Sequence, residues 1–463
     1  MTIEPRKVYD PADMRCLLEP KSIAVIGAST NPKSLGYRTL RNLARFQGGV
    51  YPVNARYDEI DGRRCWPSLA SLPEVPDCVV LAIGKDGVED AVRDCAARGV
   101  GSVVIYASGY AETGREDGIA AQERLLSLAR SGNMRLVGPN CAGLSSASGF
   151  HAGFAEFLTS AARPQRQIGL VSQSGALGLS LSQAVTQGFD ISHVLSCGNS
   201  CDVDVADYAN WLLEQSGIGA IAMVYEGLRD PRRLQEVGQR AKEMGKTVVV
   251  NKLGRSDAGA QAAQFHTGSQ AGTFDAFADM ARDAGLVTND RIETLLETAA
   301  FFAKAPIGQN GGVAVVSSSG GTGIICVDTA ARHGVLTPQP SSETIAILKT
   351  QIPDFGAARN PCDATAQAVA NPDSFIAATA AMISDERYNA IVLPWGKSMP
   401  ASLLPPLGEV AARAGKALCV VWTSQGLAEE GFRDLTLRPD ISAFRSVDSC
   451  FAALAKWNAR RQS

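Results

Sequence analysis

The feature that most constrains this chain is an internal repeat. Ile168–Gly178 reads IGLVSQSGALG and Val313–Gly323 reads VAVVSSSGGTG, each an apolar strand running into a Ser/Gly turn and then a helix. Further on, Ile221–Gly227 (IAMVYEG) parallels Ile391–Lys397 (IVLPWGK). Gly245-Lys246-Thr247 and the following Val248–Val250 likewise parallel Gly415-Lys416-Ala417 and Leu418–Val420. Order and rough spacing match, so two copies of one flavodoxin-like α/β unit are expected, joined near Ala305–Gly312. Where two such copies differ, packing alone does not explain the choice. The middle copy has Glu226 after its strand where the last has Gly396, and continues through Asn251-Lys252-Leu253-Gly254. It then enters Ser256–Thr273, which reads as a loop of small and polar residues holding a histidine; the last copy has Trp422-Thr423-Ser424-Gln425 and no histidine there.

Ahead of the repeat, short apolar strands alternate with helical patterns. Candidate strands are Ile23–Ile26, Val50–Val53, Cys78–Ala82, Ser102–Ile105 and Arg135–Val137. Val88, Ala91, Val92, Cys95 and Ala96 fall on one face of a helix that Asp86 can cap and Gly99 can end. Apolar strands alternating with helices predict a parallel, doubly wound sheet. The chain of 463 residues has room for about three domains at roughly 100–200 residues each. The expected boundaries are 1–150, 164–304 and 311–463, with the polar stretch Arg163-Pro164-Gln165-Arg166 as a linker.

Composition removes several functions. A net charge of −3 disfavours nucleic acid and anionic membranes as partners. No apolar run approaches the roughly 18 residues of a membrane span, and MTIEPRKVYD has no apolar core of a signal peptide. Eleven cysteines without a CxxC pair read as reduced thiols, so a cytoplasmic location is expected. No metal site is assigned, and any histidine chemistry must use His151, His193, His266 or His333.

Gly27-Ala28-Ser29-Thr30 follows the first strand and precedes a helix through Leu40, Leu43 and Ala44. A tight turn feeding a helix start exposes N–H groups and suits a phosphate, although a plain structural turn is the alternative. The dinucleotide pattern G-x-G-x-x-G is absent, because Ser29 stands where its second glycine would be. The second strand ends in Asn54 rather than an acidic ribose anchor, which argues against a nicotinamide cofactor. No Walker A sequence occurs, so P-loop chemistry is not expected. Ser172-Gln173-Ser174-Gly175 and Ser317-Ser318-Ser319-Gly320-Gly321 are two more strand-to-helix turns, each either an anion site or a plain turn.

His266 lies in Phe265-His266-Thr267-Gly268-Ser269-Gln270-Ala271-Gly272, a setting that reads as a mobile loop. A neutral imidazole there is a nucleophile toward phosphorus, and Glu226 is the natural carboxylate to orient it. His151, His193 and His333 lack such a setting and are expected to be structural. In Gly138-Pro139-Asn140-Cys141-Ala142-Gly143, Cys141 either neighbours a ligand or is a small buried residue, whereas the Asn140 amide suits a polar ligand.

Together, SIAVIGAST (Ser22–Thr30), YPVN (Tyr51–Asn54), GPNCAG (Gly138–Gly143), VSQSGALG (Val171–Gly178), YEG (Tyr225–Gly227), HTGS (His266–Ser269) and NPCD (Asn360–Asp363) resemble the α subunit of NDP-forming acyl-CoA synthetases. This is the ADP-forming acetate–CoA ligase group, related to succinyl-CoA synthetase. The resemblance runs from about Ala12 to Trp457. It implies a Rossmann-like CoA-binding domain followed by two flavodoxin-like domains. It implies that Gly27, Ala28, Ser29 and Thr30 contact coenzyme A, with Asn54, Ser108, Gly109 and Asn140 along its path. It further implies that His266 is phosphorylated and held by Glu226, while Ser174, Gly175, Gly320 and Gly321 grip the phosphoryl group. The implied reaction joins a carboxylic acid to CoA through an acyl phosphate and a phosphohistidine. ATP or another NTP, with Mg2+, would sit on an ATP-grasp module. The three α/β units leave no room for that module, so the resemblance implies a separate ATP-grasp β subunit and a hetero-oligomer. The alternative is a non-catalytic CoA-binding regulatory or scaffold protein; the Glu226/His266 pair favours the enzyme.

Overall fold

The structure is a computed structural model describing residues 6–163, 166–228, 230–267, 273–306, 311–396, 399–424 and 430–460, with backbone alone at 264–267 and 430. Positions 164–165 of the expected linker, Lys397 and Gln425 lie outside the described residues. The chain forms two compact units: Met1–Val185 with Ile191–Ile292, and Thr186–Asp190 with Glu293–Ser463.

The first unit holds two sheets and a small hairpin. In chain order its strands are β1 (Ser22–Ile26), β2 (Gly49–Val53), the hairpin β3 (Glu59–Ile60) and β4 (Arg63–Arg64), β5 (Cys78–Leu81), β6 (Ser102–Ile105), β7 (Arg135–Val137), β8 (Gly143–Ser146), β9 (His151–Gly153), β10 (Gln167–Ser172), β11 (Ile191–Ser196), β12 (Ile218–Tyr225), β13 (Thr247–Lys252) and β14 (Val287–Asn289). The N-terminal sheet is parallel in the order β2-β1-β5-β6-β7. The second runs β14-β13-β12-β10-β11-β8-β9, with β8 and β9 antiparallel. The second unit holds β15 (Gly312–Ser317), β16 (Cys362–Asp363), β17 (Tyr388–Trp395), β18 (Ala417–Trp422) and β19 (Ser442–Phe444) in the order β16-β15-β17-β18-β19. Counting only the parallel strands of each sheet, all three follow the flavodoxin-like order 2-1-3-4-5, as the repeat predicts for the last two.

The central strands are buried along both faces: Cys78, Val79, Val80 and Leu81 are all fully covered. Each buried Val, Ile or Leu contributes about 1.5–3 kcal/mol relative to exposure. The strands therefore carry the fold, and the turns at their carboxyl ends can be chosen for chemistry. The helix Val88–Arg98 buries Val88, Val92 and Cys95 and ends at Gly99, whose φ of 76° suits glycine. Its N-cap is Gly87 rather than Asp86, because Lys85–Gly87 forms a preceding 3-10 turn.

Other expectations shift. The helix after the first turn starts at Leu35, capped by Ser34 Oγ accepting from Tyr37 N at 3.1 Å, so Gly27–Thr30 does not feed it directly. It ends at Asn42, with Leu43–Arg45 as a 3-10 turn. The expected boundary at residue 150 falls inside the β8–β9 hairpin, which is hydrogen-bonded to the second sheet through β11. The helix Leu295–Lys304, expected to close the middle domain, packs in the second unit against β19 and the helix Val447–Ala459. Ser256–Thr273, read as a loop, contains the helix Asp257–Thr267, which includes position 266.

Residues ahead of β1 are tied to the middle domain by charge. Arg6 grips the buried Asp207 carboxylate with both terminal nitrogens, at 2.9 and 2.6 Å, and Tyr9 donates its hydroxyl to Asp202 at 2.8 Å. Arg233 pairs with Asp204 and Asp207, so these buried carboxylates meet guanidinium groups rather than apolar surface.

Candidate active site

In an open α/β sheet the ligand crevice lies at the carboxyl ends of the strands, where the strand order reverses. In the N-terminal sheet that point lies between β1 and β5. Gly27 follows β1 with φ 90°, and a Cβ on it would stand 2.4 Å from the Ala82 carbonyl oxygen, so no other residue fits. Asn54, at the end of β2, donates its side-chain N–H to the Ala28 carbonyl at 2.7 Å. The residue in the acidic ribose-anchor position is thus a strut for the turn. Tyr57, missed in the sequence, brings its hydroxyl to Ser29 and Thr30, and those hydrogen bonds lower its pKa.

The remaining two segments of the implied CoA path meet through side chains that the sequence reading overlooked. Gly109, with φ 99°, and Tyr110 give their backbone N–H groups to the Glu112 carboxylate. Asn199, on the loop after β11, donates to Glu112 and to Gln122 Oε1 at 2.9 Å. It also accepts from Asn140 Nδ2 at 3.3 Å. Ser108 and Asn140 are exposed. Cys141 is fully buried, burial pushes its thiol up to about 11, and it donates to the Ser196 carbonyl. It fills space beside the loop and offers no thiolate.

In the second sheet the reversal lies between β10 and β12. Ser172 stands opposite Val224, which brings Gln173 beside Glu226. Gln173 Oε1 accepts the backbone N–H groups of Glu226 and Gly227, and its Nε2 donates to the Gly227 carbonyl at 2.8 Å. Glu226 is 5% exposed. Lys252, at the end of β13, is equally buried and donates its ammonium to the Glu226 carbonyl at 2.7 Å. Burial lowers the Lys252 pKa, and the Glu226 charge opposes that shift. A lysine closing the apolar run VVVNK was the signal that could have revealed it. Ser174 caps the helix Gly175–Ser182, its Oγ accepting from Leu177 N at 3.3 Å. A Cβ on Gly175 would stand 2.6 Å from Ala142 Cβ, so glycine lets this helix start approach the Asn140 loop. The His266 side chain and residues 268–272 of the same motif lie outside the described residues.

In the second unit, Gly320 and Gly321 open the helix Gly320–Arg332 with Ser319 as N-cap. A Cβ on Gly320 would stand 2.9 Å from Asp363 Oδ2, so a carboxylate already faces this helix start. Asn360, at the head of NPCD, fixes that segment: its side chain accepts from Val315 N and donates to the Val313 and Pro338 carbonyls, each at 2.9 Å.

The other histidines have structural partners. His151 shares a hydrogen bond with the Ala155 carbonyl at 2.8 Å, and His333 lies 2.9 Å from Asp448. His193 lies edge-on to Trp211.

Residues 21–147 match a family model described as a CoA binding domain, and residues 165–302 match one described as a succinyl-CoA ligase like flavodoxin domain. The α subunit of acetate–CoA ligase [ADP-forming] II from Pyrococcus furiosus is 34% identical over 352 residues, 75% of either chain. The chain belongs to the family of α subunits of ADP-forming acyl-CoA synthetases, which are CoA ligases. A trans-feruloyl-CoA synthase from an unknown prokaryotic organism is 34% identical over 381 residues, 81% of this chain but 54% of that one. Within the family, a solved acetyl-coenzyme A synthetase 1 from Ca. Korarchaeum cryptofilum, in complex with phosphate and ADP, is 28% identical. It superposes with a TM-score of 0.86 over 97% of both chains. No helix among the described residues is long and apolar enough to cross a membrane.

Proposed function

We propose that this chain is the CoA-binding and phosphohistidine-bearing subunit of an NDP-forming acyl-CoA synthetase. It acts in the cytoplasm with an ATP-grasp β subunit that carries ATP, or another NTP, and its Mg2+. The observation that carries the reading is the setting of Glu226. A carboxylate buried within reach of the Lys252 charge is costly to keep, and Glu226 stands at the strand-order reversal beside Gln173, which leads into the Gly175 helix start. A protein that only bound CoA has no use for it.

In this reading CoA lies along Gly27–Thr30, Ser108-Gly109 and Asn140, with the close approach of Gly27 to Ala82 setting the turn at the strand-order reversal. Glu226 holds the imidazole of His266 and fixes its tautomer, leaving the other ring nitrogen free to attack. The imidazole nitrogen attacks the terminal phosphorus of the nucleotide, and NDP leaves with the bridging oxygen. A carboxylate oxygen of the acid substrate then takes the phosphoryl group, releasing imidazole and giving an acyl phosphate. The CoA thiol loses its proton and attacks the acyl carbon, and phosphate departs with the electron pair of the broken C–O bond. The Ser174-Gly175 helix start stabilises charge on the phosphoryl group. At Gly320-Gly321, a phosphoryl group would have a carboxylate neighbour, since Asp363 Oδ2 stands 2.9 Å from where a Cβ on Gly320 would lie.

The test is intact mass after incubation with ATP and the ATP-grasp partner. Wild type gains one acid-labile, base-stable phosphate and His266→Ala gains none. A phosphate that persists in His266→Ala, or that maps to His151, His193 or His333, overturns the assignment. A screen of carboxylic acids for CoA- and ATP-dependent phosphate release then identifies the acyl substrate.

A further inference from the structure

We propose that Asn199, carried by the middle flavodoxin-like domain, is the positioning residue that sets the Ser108-Gly109 and Asn140 segments for CoA; this rests on the reading above that those segments contact CoA. Its amide is fully used. One end donates to Gln122 Oε1 at 2.9 Å and to Glu112, and the other accepts from Asn140 Nδ2 at 3.3 Å. Its backbone N–H donates to the Pro139 carbonyl at 2.9 Å.

Both targets need holding. Asn140 sits at φ 58°, a left-handed conformation that an L-residue enters at a cost, and its side chain is otherwise exposed. Gly109 sits at φ 99°, and its N–H is taken by Glu112. Burial works to raise the Glu112 pKa. The Asn199 amide and the Gly109 and Tyr110 N–H groups outweigh it, so the carboxyl stays below its ordinary value and charged. A charged Glu112 accepts strongly and returns nothing, so it needs donors on its second oxygen. Asn199 supplies one from another domain. Gly198 makes this reach possible: a Cβ there would stand 2.4 Å from the Pro139 carbonyl oxygen.

The chemistry explains asparagine at this position. Aspartate would have no protons for Glu112 or Gln122 and would set one carboxylate against another. Leucine would remove one donor from Glu112 and the acceptor of Asn140 Nδ2. The next residue, Ser200, has its Oγ 3.5 Å from Gln173 Nε2, and Gln173 accepts from Glu226 N. One loop therefore borders both the CoA segments and the Glu226 turn.

The experiment measures CoA binding to the full chain by calorimetry, and KM for CoA and kcat in the reconstituted enzyme. Asn199→Asp is expected to weaken CoA binding by about 10–100-fold, the effect of a lost hydrogen bond to a charged group. The loss should fall on KM for CoA rather than on kcat. The double variant Asn199→Asp/Glu112→Gln restores the pair with donor and acceptor exchanged: the new amide donates to the new carboxylate while its carbonyl keeps the Gly109 N–H, and the Gln122 amide turns over to donate its Nε2 to the same carboxylate. It should recover CoA affinity to within about threefold of wild type. If wild type binds CoA and Asn199→Asp binds it equally well, the role assigned to Asn199 is wrong and the CoA reading stands. If Asn199→Asp loses kcat and KM together and the double variant does not recover, Asn199 only packs the loop and the proposal is again overturned. If wild type itself does not bind CoA, the reading and the inference fall together.

Discussion

The middle and last flavodoxin-like domains carry different side chains on one backbone plan. Their registers correspond strand for strand: Ser172 stands opposite Ser196 on β11 and Ser317 opposite Asp363 on β16, while Tyr225 pairs with Lys252 and Trp395 with Trp422. At the carboxyl ends, Glu226 thus corresponds to Gly396, Lys252 to Trp422 and Ser196 to Asp363. The last domain closes this end with aromatic packing, Trp422 lying against Phe432, and with a carboxylate over its helix start. The middle domain buries a carboxylate and an ammonium there and meets its helix start with a hydroxyl, since Ser196 Oγ would stand 3.5 Å from a Cβ on Gly175. An equivalent fold forms without Glu226 and Lys252. Their burial is a cost that packing does not require, and that is the physical argument for the chemical role proposed above.

The largest effect should come from removing that asymmetry. Glu226→Gln keeps shape and loses charge, and by comparison with other orienting carboxylates turnover should fall by about 10⁴-fold with the fold intact. The converse change, Gly396→Glu, meets no atom nearer than Thr423 Oγ1, 3.8 Å from the new Cβ, among the described residues and should leave turnover unchanged. Turnover of the reconstituted enzyme and circular dichroism of each variant check both. Equal activity of Glu226→Gln and wild type would make the carboxylate a structural residue and erase the contrast between the domains.

A smaller effect distinguishes the domains in acid. His193 lies on β11, and the corresponding β16 has no histidine. Burial pushes the His193 pKa from 6.5 down to about 4. Between those values the unfolded chain holds a proton that the folded chain refuses, so stability is present above the upper value and is lost as pH falls through the window. The loss should reach about 3 kcal/mol at its limit. Denaturant titrations from pH 7 to pH 4 should show this slope in wild type and a flatter one in His193→Gln. Equal slopes would mean that the imidazole takes its proton without unfolding.

The strands were the most legible part, because buried parallel strands must be apolar along their length and little else in the chain is. The repeat was legible for the same reason, and it foretold the shared strand order. The helix Asp257–Thr267 reads as a loop when Ala258, Ala260, Ala262 and Ala263 count only as small residues, although alanine is the strongest helix former. The expected boundary at residue 150 cuts the β8–β9 hairpin because sequence proximity says nothing of which sheet edge a strand joins. The Glu112–Asn199 contact spans 87 positions, and neither residue carries a local pattern. Asp363 was visible within NPCD, but the strand register that sets it at the Gly320 helix start was not.

The finest contrast lies in the glycines that open the two helices. A Cβ on Gly175 meets Ala142 Cβ at 2.6 Å, and a methyl group fixed to the backbone has nowhere to swing. Overpacking of this kind costs about 1–3 kcal/mol, so Gly175→Ala should lower stability by that amount. On Gly320 the close atom is Asp363 Oδ2 at 2.9 Å, the far end of a side chain that can turn away, and the cost should be smaller. On Gly321 the nearest atom is Ser319 Oγ at 3.9 Å, ordinary contact distance, and the backbone is helical. Gly321→Ala should therefore stabilise by up to about 1 kcal/mol, through the lower entropy of the unfolded chain. Thermal unfolding of the three variants should rank them Gly175→Ala, Gly320→Ala, Gly321→Ala from least to most stable. A neutral Gly175→Ala would mean that the helix start does not press on the Asn140 loop. The middle domain would then lose the close approach that brings its Ser174-Gly175 helix start to the Asn140 loop.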